Sequence, residues 1–218
     1  MSDVPGGAAG AAVALVLSFL AGSIPFGVLV SRAFFRTDIR KSGSGNIGAA
    51  NALRTLGKGG ALAVLVLDGL KGFVPASALL NPWLRGDGPA GGHVALAAAF
   101  GFAALLGHCY SPWLQWRGGK GVATHLGVVF ALSWQAGLIF IATFLVAALP
   151  TGFSSLGSLG ATAVSALSLW LFAGPAGLWY GLAASAVIFW RHRENLARLR
   201  AGTENRMNLF AGRRTTPQ

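Results

Sequence analysis

The sequence predicts an all-α membrane protein of about seven transmembrane helices, with the N-terminus outside and the C-terminus cytoplasmic. Three observations carry that prediction. Of 218 residues, 54% are hydrophobic and only 11% charged, less than half the charged share of about 25% in soluble domains. The apolar residues come in blocks near the length of about 20 that crosses a bilayer. When the blocks are counted as seven, 15 of the 17 Lys and Arg residues fall on one side, the asymmetry that marks cytoplasmic loops. This composition excludes a disordered tail, a coiled coil and a typical cytosolic enzyme. The single Cys109 leaves no intrachain disulfide and no Cys-rich metal site. Residues 1–218 read as one domain.

The seven blocks are residues 11–30, 60–80, 93–109, 121–132, 135–149, 156–171 and 176–190. The first is expected to stay in the mature protein, because no basic residue precedes it and the first is Arg32, whereas a signal peptide has a basic n-region. Blocks four and five are short and separated only by Ser133-Trp134-Gln135. Together they span about 29 residues, too long for one crossing, and merging them would scatter the basic residues over both sides. With seven crossings, Arg85 alone lies outside and Lys71 lies within the second block. Trp83, Trp134, Trp170 and Trp179 fall near outer ends, and Trp113, Trp116 and Trp190 near inner ends, as an aromatic belt requires. The net charge of +11 is therefore mainly topology and does not call for a nucleic-acid partner.

Polar chemistry concentrates near residues 42–72, 107–124, 151–158 and 191–204, all on the predicted cytoplasmic side. In the first segment Gly43, Gly45 and Gly48 satisfy G-x-G-x-x-G. The dinucleotide reading fails, since that fingerprint needs a preceding strand in a βαβ unit. Two readings remain: a turn whose backbone N–H groups cradle a phosphate beside Ser44, Asn46 and Arg54, or a flexible loop whose glycines only permit a sharp bend. In the second segment Gly118-Gly119-Lys120-Gly121 precedes an apolar block and again suits an anion. It lacks the spacing of a P-loop. His108 reads as a core histidine, and Arg117 and Lys120 can also be plain topology charges. In the third, His192 and Asn195 share a helix face at i, i+3, and Glu194 is spaced to pair with Arg198 at i, i+4. A basic juxtamembrane helix can simply anchor to anionic lipid, but that does not explain a His and an Asn on one face. The small stretch Thr151 to Ser158 reads by itself as a turn and cap.

Nothing in the chain suggests a metal or a covalent nucleophile. There is no Cys/His cluster and no G-x-S-x-G elbow. Only six acidic residues are present, and no His has an Asp five positions on. No metal and no cofactor are expected.

Taken together, these segments resemble the motifs of the PlsY family, bacterial integral-membrane acyl-phosphate:glycerol-3-phosphate acyltransferases. Gly22-Ser23-Ile24-Pro25-Phe26-Gly27 is similar to the family's opening signature. Ser42 to Arg54 with Leu67-Asp68-Gly69-Leu70-Lys71-Gly72 resembles its first cytoplasmic motif, Gly118 to Thr124 its second and His192 to Glu204 its third. The resemblance implies the same seven-span topology in the bacterial plasma (inner) membrane, with the active site on the cytoplasmic face. It implies transfer of a fatty acyl group from acyl phosphate to the 1-hydroxyl of sn-glycerol 3-phosphate, giving lysophosphatidic acid and phosphate. By position, it implies that Ser44, Gly45 and Asn46 hold the donor phosphate, while Arg54, Lys120, Ser155, His192 and Asn195 surround glycerol 3-phosphate and the reacting centre. Ser154 and Ser158 compete with Ser155 for the serine role. The implied partners are membrane lipids, the two substrates and an acyl-phosphate-producing enzyme.

The residue chemistry agrees with such a reaction. An acyl phosphate is already activated, so positioning and charge neutralisation suffice. Two phosphates must approach each other, which calls for Lys120, Arg54 and backbone donors at about 1.5–3 kcal/mol per charge-assisted contact. His192 is the histidine placed to take the hydroxyl proton, and a substrate phosphate oxygen is the alternative. A transporter or flippase for an anionic lipid or organic phosphate is the rival, and it predicts polar residues deep in spans. Asp68 and Lys71 are the residues that favour it.

Overall fold

The computed structural model describes residues 7–77 and 90–207. The described residues contain helices and no strand: α1 (Gly7–Ser23), α2 (Phe26–Phe35), α3 (Ala49–Thr55), α4 (Gly57–Ala76), α5 (Ala90–Cys109), α6 (Val122–Leu132), α7 (Trp134–Thr151), α8 (Ser154–Arg191) and α9 (Arg193–Arg200). Short 3₁₀ turns occupy Ile39–Lys41 and Pro112–Leu114. Five helical stretches are long and apolar enough to cross a membrane: Gly7–Phe35, Gly57–Ala76, His93–Leu114, Trp134–Thr151 and Ser154–Arg191. Val122–Leu132 is apolar but shorter. Residues 78–80, Trp83, Arg85, Arg213 and Arg214 lie outside the described residues.

The first block is not one straight helix. Pro25 has no N–H to continue the ladder, so α1 ends at Ser23 and α2 restarts at Phe26. The freed polar groups find distant partners, as backbone at membrane depth must. Lys71 Nζ donates to the Ile24 carbonyl at 2.9 Å, Ser111 Oγ to the Ser23 carbonyl at 2.7 Å, and Trp113 Nε1 to Ser23 Oγ at 2.8 Å.

Blocks four and five are separate helices, as expected. Ser133 is extended at φ −162° and its hydroxyl caps α7 by accepting from Ala136 N. Blocks six and seven form one 38-residue element in hydrogen-bonding terms, interrupted at Gly174, whose φ of 70° and ψ of −162° are not helical. A straight helix of that length would extend about 57 Å, well beyond a bilayer. Instead the two arms fold against each other: Ser185 Oγ donates to the Thr162 carbonyl, and Gly181 lies against Ala166 with no room for a Cβ. Glycine at 174 permits the left-handed φ, and Pro175 starts the second arm.

Close helix contacts are made through small residues, the usual basis of packing in lipid. A Cβ on Gly72 of α4 would sit 2.1 Å from the Thr124 carbonyl oxygen of α6, and one on Gly127 would sit 2.0 Å from the Gly69 oxygen. The short α6 is further held by His125, whose ring nitrogens meet Tyr180 Oη at 2.9 Å and Ser165 Oγ at 2.8 Å. His125 is thus a satisfied core histidine between α6 and both arms of α8.

Candidate active site

The first Gly-rich loop follows the 3₁₀ turn capped by Asp38, whose side chain accepts from Arg40 N and binds the Arg32 and Arg40 guanidinium groups. Hydrogen bonds from those arginines overcome desolvation and hold the Asp38 carboxyl well below its usual range. Gly43 and Gly45 both adopt positive φ, turning the chain tightly around Asn51 of α3. The buried Asn51 amide donates to the carbonyls of Ile39, Ser42 and Asn46 and accepts from Ser44 N. Of the two readings of this loop, an open cradle of free N–H groups is not the one that forms. Its Ser44 and Gly45 N–H groups go to Asn51 Oδ1 and the Ser42 carbonyl, and Gly48 N goes to Asn46 Oδ1. Donors that are satisfied internally shape a phosphate site but do not themselves bind one.

The second loop, Gly118-Gly119-Lys120, returns from the membrane-surface turn to the start of α6. Its N–H groups donate to the α5 end, Gly118 to the Cys109 carbonyl and Gly119 to that of His108. Lys120 Nζ hydrogen-bonds Asn195 Oδ1 of α9. Asn195 Nδ2 donates to Glu204 Oε1 at 2.6 Å, and Ser155 Oγ at the start of α8 reaches the same oxygen at 3.0 Å. Arg198 Nε donates to Glu204 Oε2 at 2.8 Å. Lysine only donates and carboxylate only accepts, so the Asn195 amide is fixed in orientation. Arg198 is therefore paired with Glu204, not with Glu194 as helical spacing suggested; Glu194 lies near Arg193 at 3.9 Å on the exposed side.

His192 sits at the junction of α8 and α9, 3% exposed. Its Nδ1 lies 2.8 Å from the Ile188 carbonyl, which can only accept. Nδ1 therefore carries the hydrogen, and the lone pair of the neutral ring is on Nε2. Burial, reinforced by the Lys120 charge, pushes His192 down to about 4, so the ring is neutral at pH 7. Burial also brings Lys120 down to about 8, with Arg198 adding to the effect. Burial raises Glu204, but hydrogen bonds from Asn195, Arg198 and Ser155 outweigh it and keep the carboxyl below its ordinary value. Arg54 is lowered by burial; one of its amino groups donates to the Asn205 carbonyl at 3.2 Å, and its Nε is buried without a partner.

These groups surround one cavity of about 530 Å³. Ser44, Asn46, Arg54, Lys120, Ser155, His192 and Asn195 all line it; Gly45 does not. Leu62 and Leu65 of α4 and Ile141, Phe144 and Leu145 of α7 form an apolar wall continuing from the polar end. Ser154 and Ser158 also line the cavity, but Ser158 Oγ is turned back to the Ser154 carbonyl at 2.7 Å, leaving Ser155 as the serine tied into the network. Arg54, Lys58, Lys120 and Arg198 put four cations around the cavity against two carboxylates, Asp68 and Glu204, each already paired.

Sequence reasoning missed four participants. Glu204 closed the third segment but drew no role, because nothing local shows that it meets Asn195 and Ser155. Asn51 organises the first loop, and its signal was an Asn inside a Gly/Asn-rich stretch. His108 is not the satisfied core residue expected: its Nδ1 lacks a hydrogen bond, stands 3.7 Å from Asp68 Oδ1, and lines the cavity beside that aspartate. Asp68 itself is paired with Lys71 at 2.8 Å, so the two intramembrane charges neutralise each other.

The family model for Glycerol-3-phosphate acyltransferase matches residues 12–202. The chain belongs to the glycerol-3-phosphate acyltransferase family. Among its relatives in that family, the glycerol-3-phosphate acyltransferase of Rhodopseudomonas palustris (strain BisB5) is 44% identical over 194 residues, covering 89% of this chain and 94% of the relative. That of Anaeromyxobacter sp. (strain Fw109-5) is 45% identical over 200 residues, covering 90% and 96%. The crystal structure of PlsY (YgiH), an integral membrane glycerol 3-phosphate acyltransferase, in its glycerol 3-phosphate form superimposes with a TM-score of 0.81 at 37% identity, covering 92% of this chain and 99% of that one. The lysophosphatidic acid form gives 0.78 at 36% identity, covering 90% and 94%. The chain is accordingly a multi-pass integral membrane protein.

Proposed function

We propose that this chain acylates the 1-hydroxyl of sn-glycerol 3-phosphate with a fatty acyl group taken directly from acyl phosphate, releasing lysophosphatidic acid and phosphate. The observation that carries this reading is the single cavity in which Arg54, Lys120 and the neutral His192 meet an apolar wall. An anionic head and a fatty chain need those two surfaces side by side. PlsY, a relative in this family, has been solved with glycerol 3-phosphate and with lysophosphatidic acid, which supports the assignment of acceptor and product.

Lys120, Arg54 and Ser155 hold the acceptor phosphate, with Asn195 fixing the Lys120 ammonium. Ser44 and Asn46 face the donor phosphate, and Gly45 serves by its positive φ, which shapes the loop around Asn51. The hydroxyl oxygen of the acceptor attacks the acyl carbon, and the bond from that carbon to the phosphate oxygen breaks. His192 Nε2 accepts the hydrogen bond of the attacking hydroxyl and orients it. As the bond from the acyl carbon breaks, the departing phosphate oxygen gains negative charge and takes the proton of the attacking hydroxyl, so that lysophosphatidic acid and phosphate are formed. No covalent acyl-enzyme is needed, because the donor is already activated.

The same reading extends to topology. The α1–α2 unit, α4, α5, α6, α7 and the two arms of α8 make seven crossings, with the N-terminus outside and the polar segments on the cytoplasmic face of the bacterial inner membrane. Residues 1–218 act as one domain, fed by an acyl-phosphate-producing enzyme. The test is phosphate release by purified, reconstituted protein with palmitoyl phosphate, with and without glycerol 3-phosphate. Release that depends on the acceptor, with lysophosphatidic acid formed in equal amount, supports the proposal. Acceptor-independent release, or none from well-folded protein, refutes it.

A further inference from the structure

Arg191 is the last residue of α8 and immediately precedes His192. Its guanidinium does not face the cavity. Nε donates to the Gly119 carbonyl at 3.0 Å and Nη2 to the Gly118 carbonyl at 2.7 Å. The fork thus grips two consecutive peptide units just before Lys120. The guanidinium also lies over the Tyr110 ring, with the centroid 5.5 Å from Cζ. Among the described residues no carboxylate pairs with it. The same loop is gripped from α5 through the Cys109 and His108 carbonyls. His108 Nε2 would lie 2.1 Å from a Cβ on Gly119, so the loop has no slack on that side.

We propose that Arg191 is a positioning residue: it ties the Gly118-Gly119-Lys120 loop to the end of α8, so that Lys120 and His192 face the substrates as one rigid unit. The geometry favours this role over binding a substrate phosphate, because Nε and Nη2 already hold the two carbonyls and Arg191 is not among the residues that line the cavity. The planar fork presents its donors to both carbonyls in a fixed geometry; a lysine ammonium at this position is a compact point charge on a flexible stem and holds the pair less rigidly. Residues 72 and 73 positions apart are thereby fixed relative to each other by one side chain. The tether leaves the first loop, which Asn51 organises separately, untouched.

The proposal rests on the acyltransfer reading for its kinetic prediction, and amide exchange tests it separately. Arg191→Gln, Arg191→Lys and the exposed control Arg193→Gln are compared with wild type in reconstituted form. In Arg191→Gln the KM for glycerol 3-phosphate rises about tenfold or more, the loss of about one charge-assisted contact at Lys120, while the KM for acyl phosphate changes less than about twofold. Arg191→Lys recovers part of the loss, and Arg193→Gln behaves as wild type. Hydrogen exchange at the Gly118 and Gly119 amides quickens in Arg191→Gln, and less in Arg191→Lys. Unchanged exchange in both Arg191 variants overturns the proposal, as does an equal rise in both KM values with a lowered unfolding midpoint, the mark of a merely structural residue. If wild type turns over nothing, the acyltransfer reading fails, and the exchange comparison alone still decides whether Arg191 holds the loop. Should Arg191→Gln fail to fold, the graded response of Arg191→Lys serves in both measurements.

Discussion

The two Gly-rich loops look alike in sequence but are held in different ways. The loop at Ser42 to Gly48 is closed by Asn51, three residues beyond its end, through four hydrogen bonds. The loop at Gly118 to Lys120 is held by α5, by Arg191 and, through Lys120, by Asn195. A locally closed loop depends on its own side chains, whereas a remotely tethered loop depends on how α5, α6 and α8 pack. The first has one central residue; the second has its charge at the centre and its supports elsewhere.

The largest effect should come from the charge in the second loop. Lys120→Ala is expected to lower kcat/KM for glycerol 3-phosphate by about 10²–10³-fold, the loss seen when one preorganised donor is removed, with the unfolding midpoint nearly unchanged. Phosphate release at varied acceptor concentration measures it, and a loss below about threefold would remove Lys120 from the site.

Next, Asn51→Ala should cost about 3 kcal/mol of stability, because it strands buried backbone groups at about 1–3 kcal/mol each. Thermal unfolding in detergent checks this. An unchanged unfolding midpoint with donor binding intact would mean that the first loop, too, is held from elsewhere.

A comparable stability change should appear with pH through His192. Burial holds the folded ring down to about 4, against the ordinary 6.5 of a histidine, so between those values only the unfolded chain takes up the proton. Stability is complete above 6.5 and falls by up to about 3 kcal/mol as pH drops toward 4. His192→Gln should flatten that slope, and an unchanged slope in the variant would place the titration elsewhere. On the alkaline side, kcat/KM for glycerol 3-phosphate should decline above about 8 as Lys120 loses its proton, since that ratio reports the free enzyme.

The smallest effect belongs to the rim of the first loop. Asp38→Asn removes contacts to the exposed Arg32 and Arg40, and exposed ion pairs contribute only about 0–1 kcal/mol. A fall of more than about 2 kcal/mol would show that the 3₁₀ turn, rather than Asn51, sets the loop.

Much of the fold was legible because membrane burial selects residues by block. The break between α6 and α7 at Ser133 and the fold-back at Gly174-Pro175 were written in local polarity and turn chemistry. The break of the first span at Pro25 was not anticipated, since an apolar block does not report where its hydrogen bonds are interrupted. At the site, Arg54, Lys120, Ser155, His192 and Asn195 do line one cavity, while Gly45 stands off it. The local rule that placed Glu194 beside Arg198 failed, because Glu204 offers Arg198 a partner buried with Asn195 and Ser155.

The sequence by itself determined that the chain is a helical membrane protein, which residues are cationic, and which segments carry the polar chemistry. Composition and short-range pattern suffice for this, because each helix satisfies its own backbone and each loop shows its own charge. Only the tertiary structure decided that Glu204 secures Asn195, that Arg191 grips the loop before Lys120, and that His192 Nε2 is the free nitrogen. Each depends on partners brought together from different helices or on one specific carbonyl, Ile188. Such contacts have no period and no spacing in the chain; they exist only once close packing at Gly72, Gly127 and Gly181 has set the distances between helices.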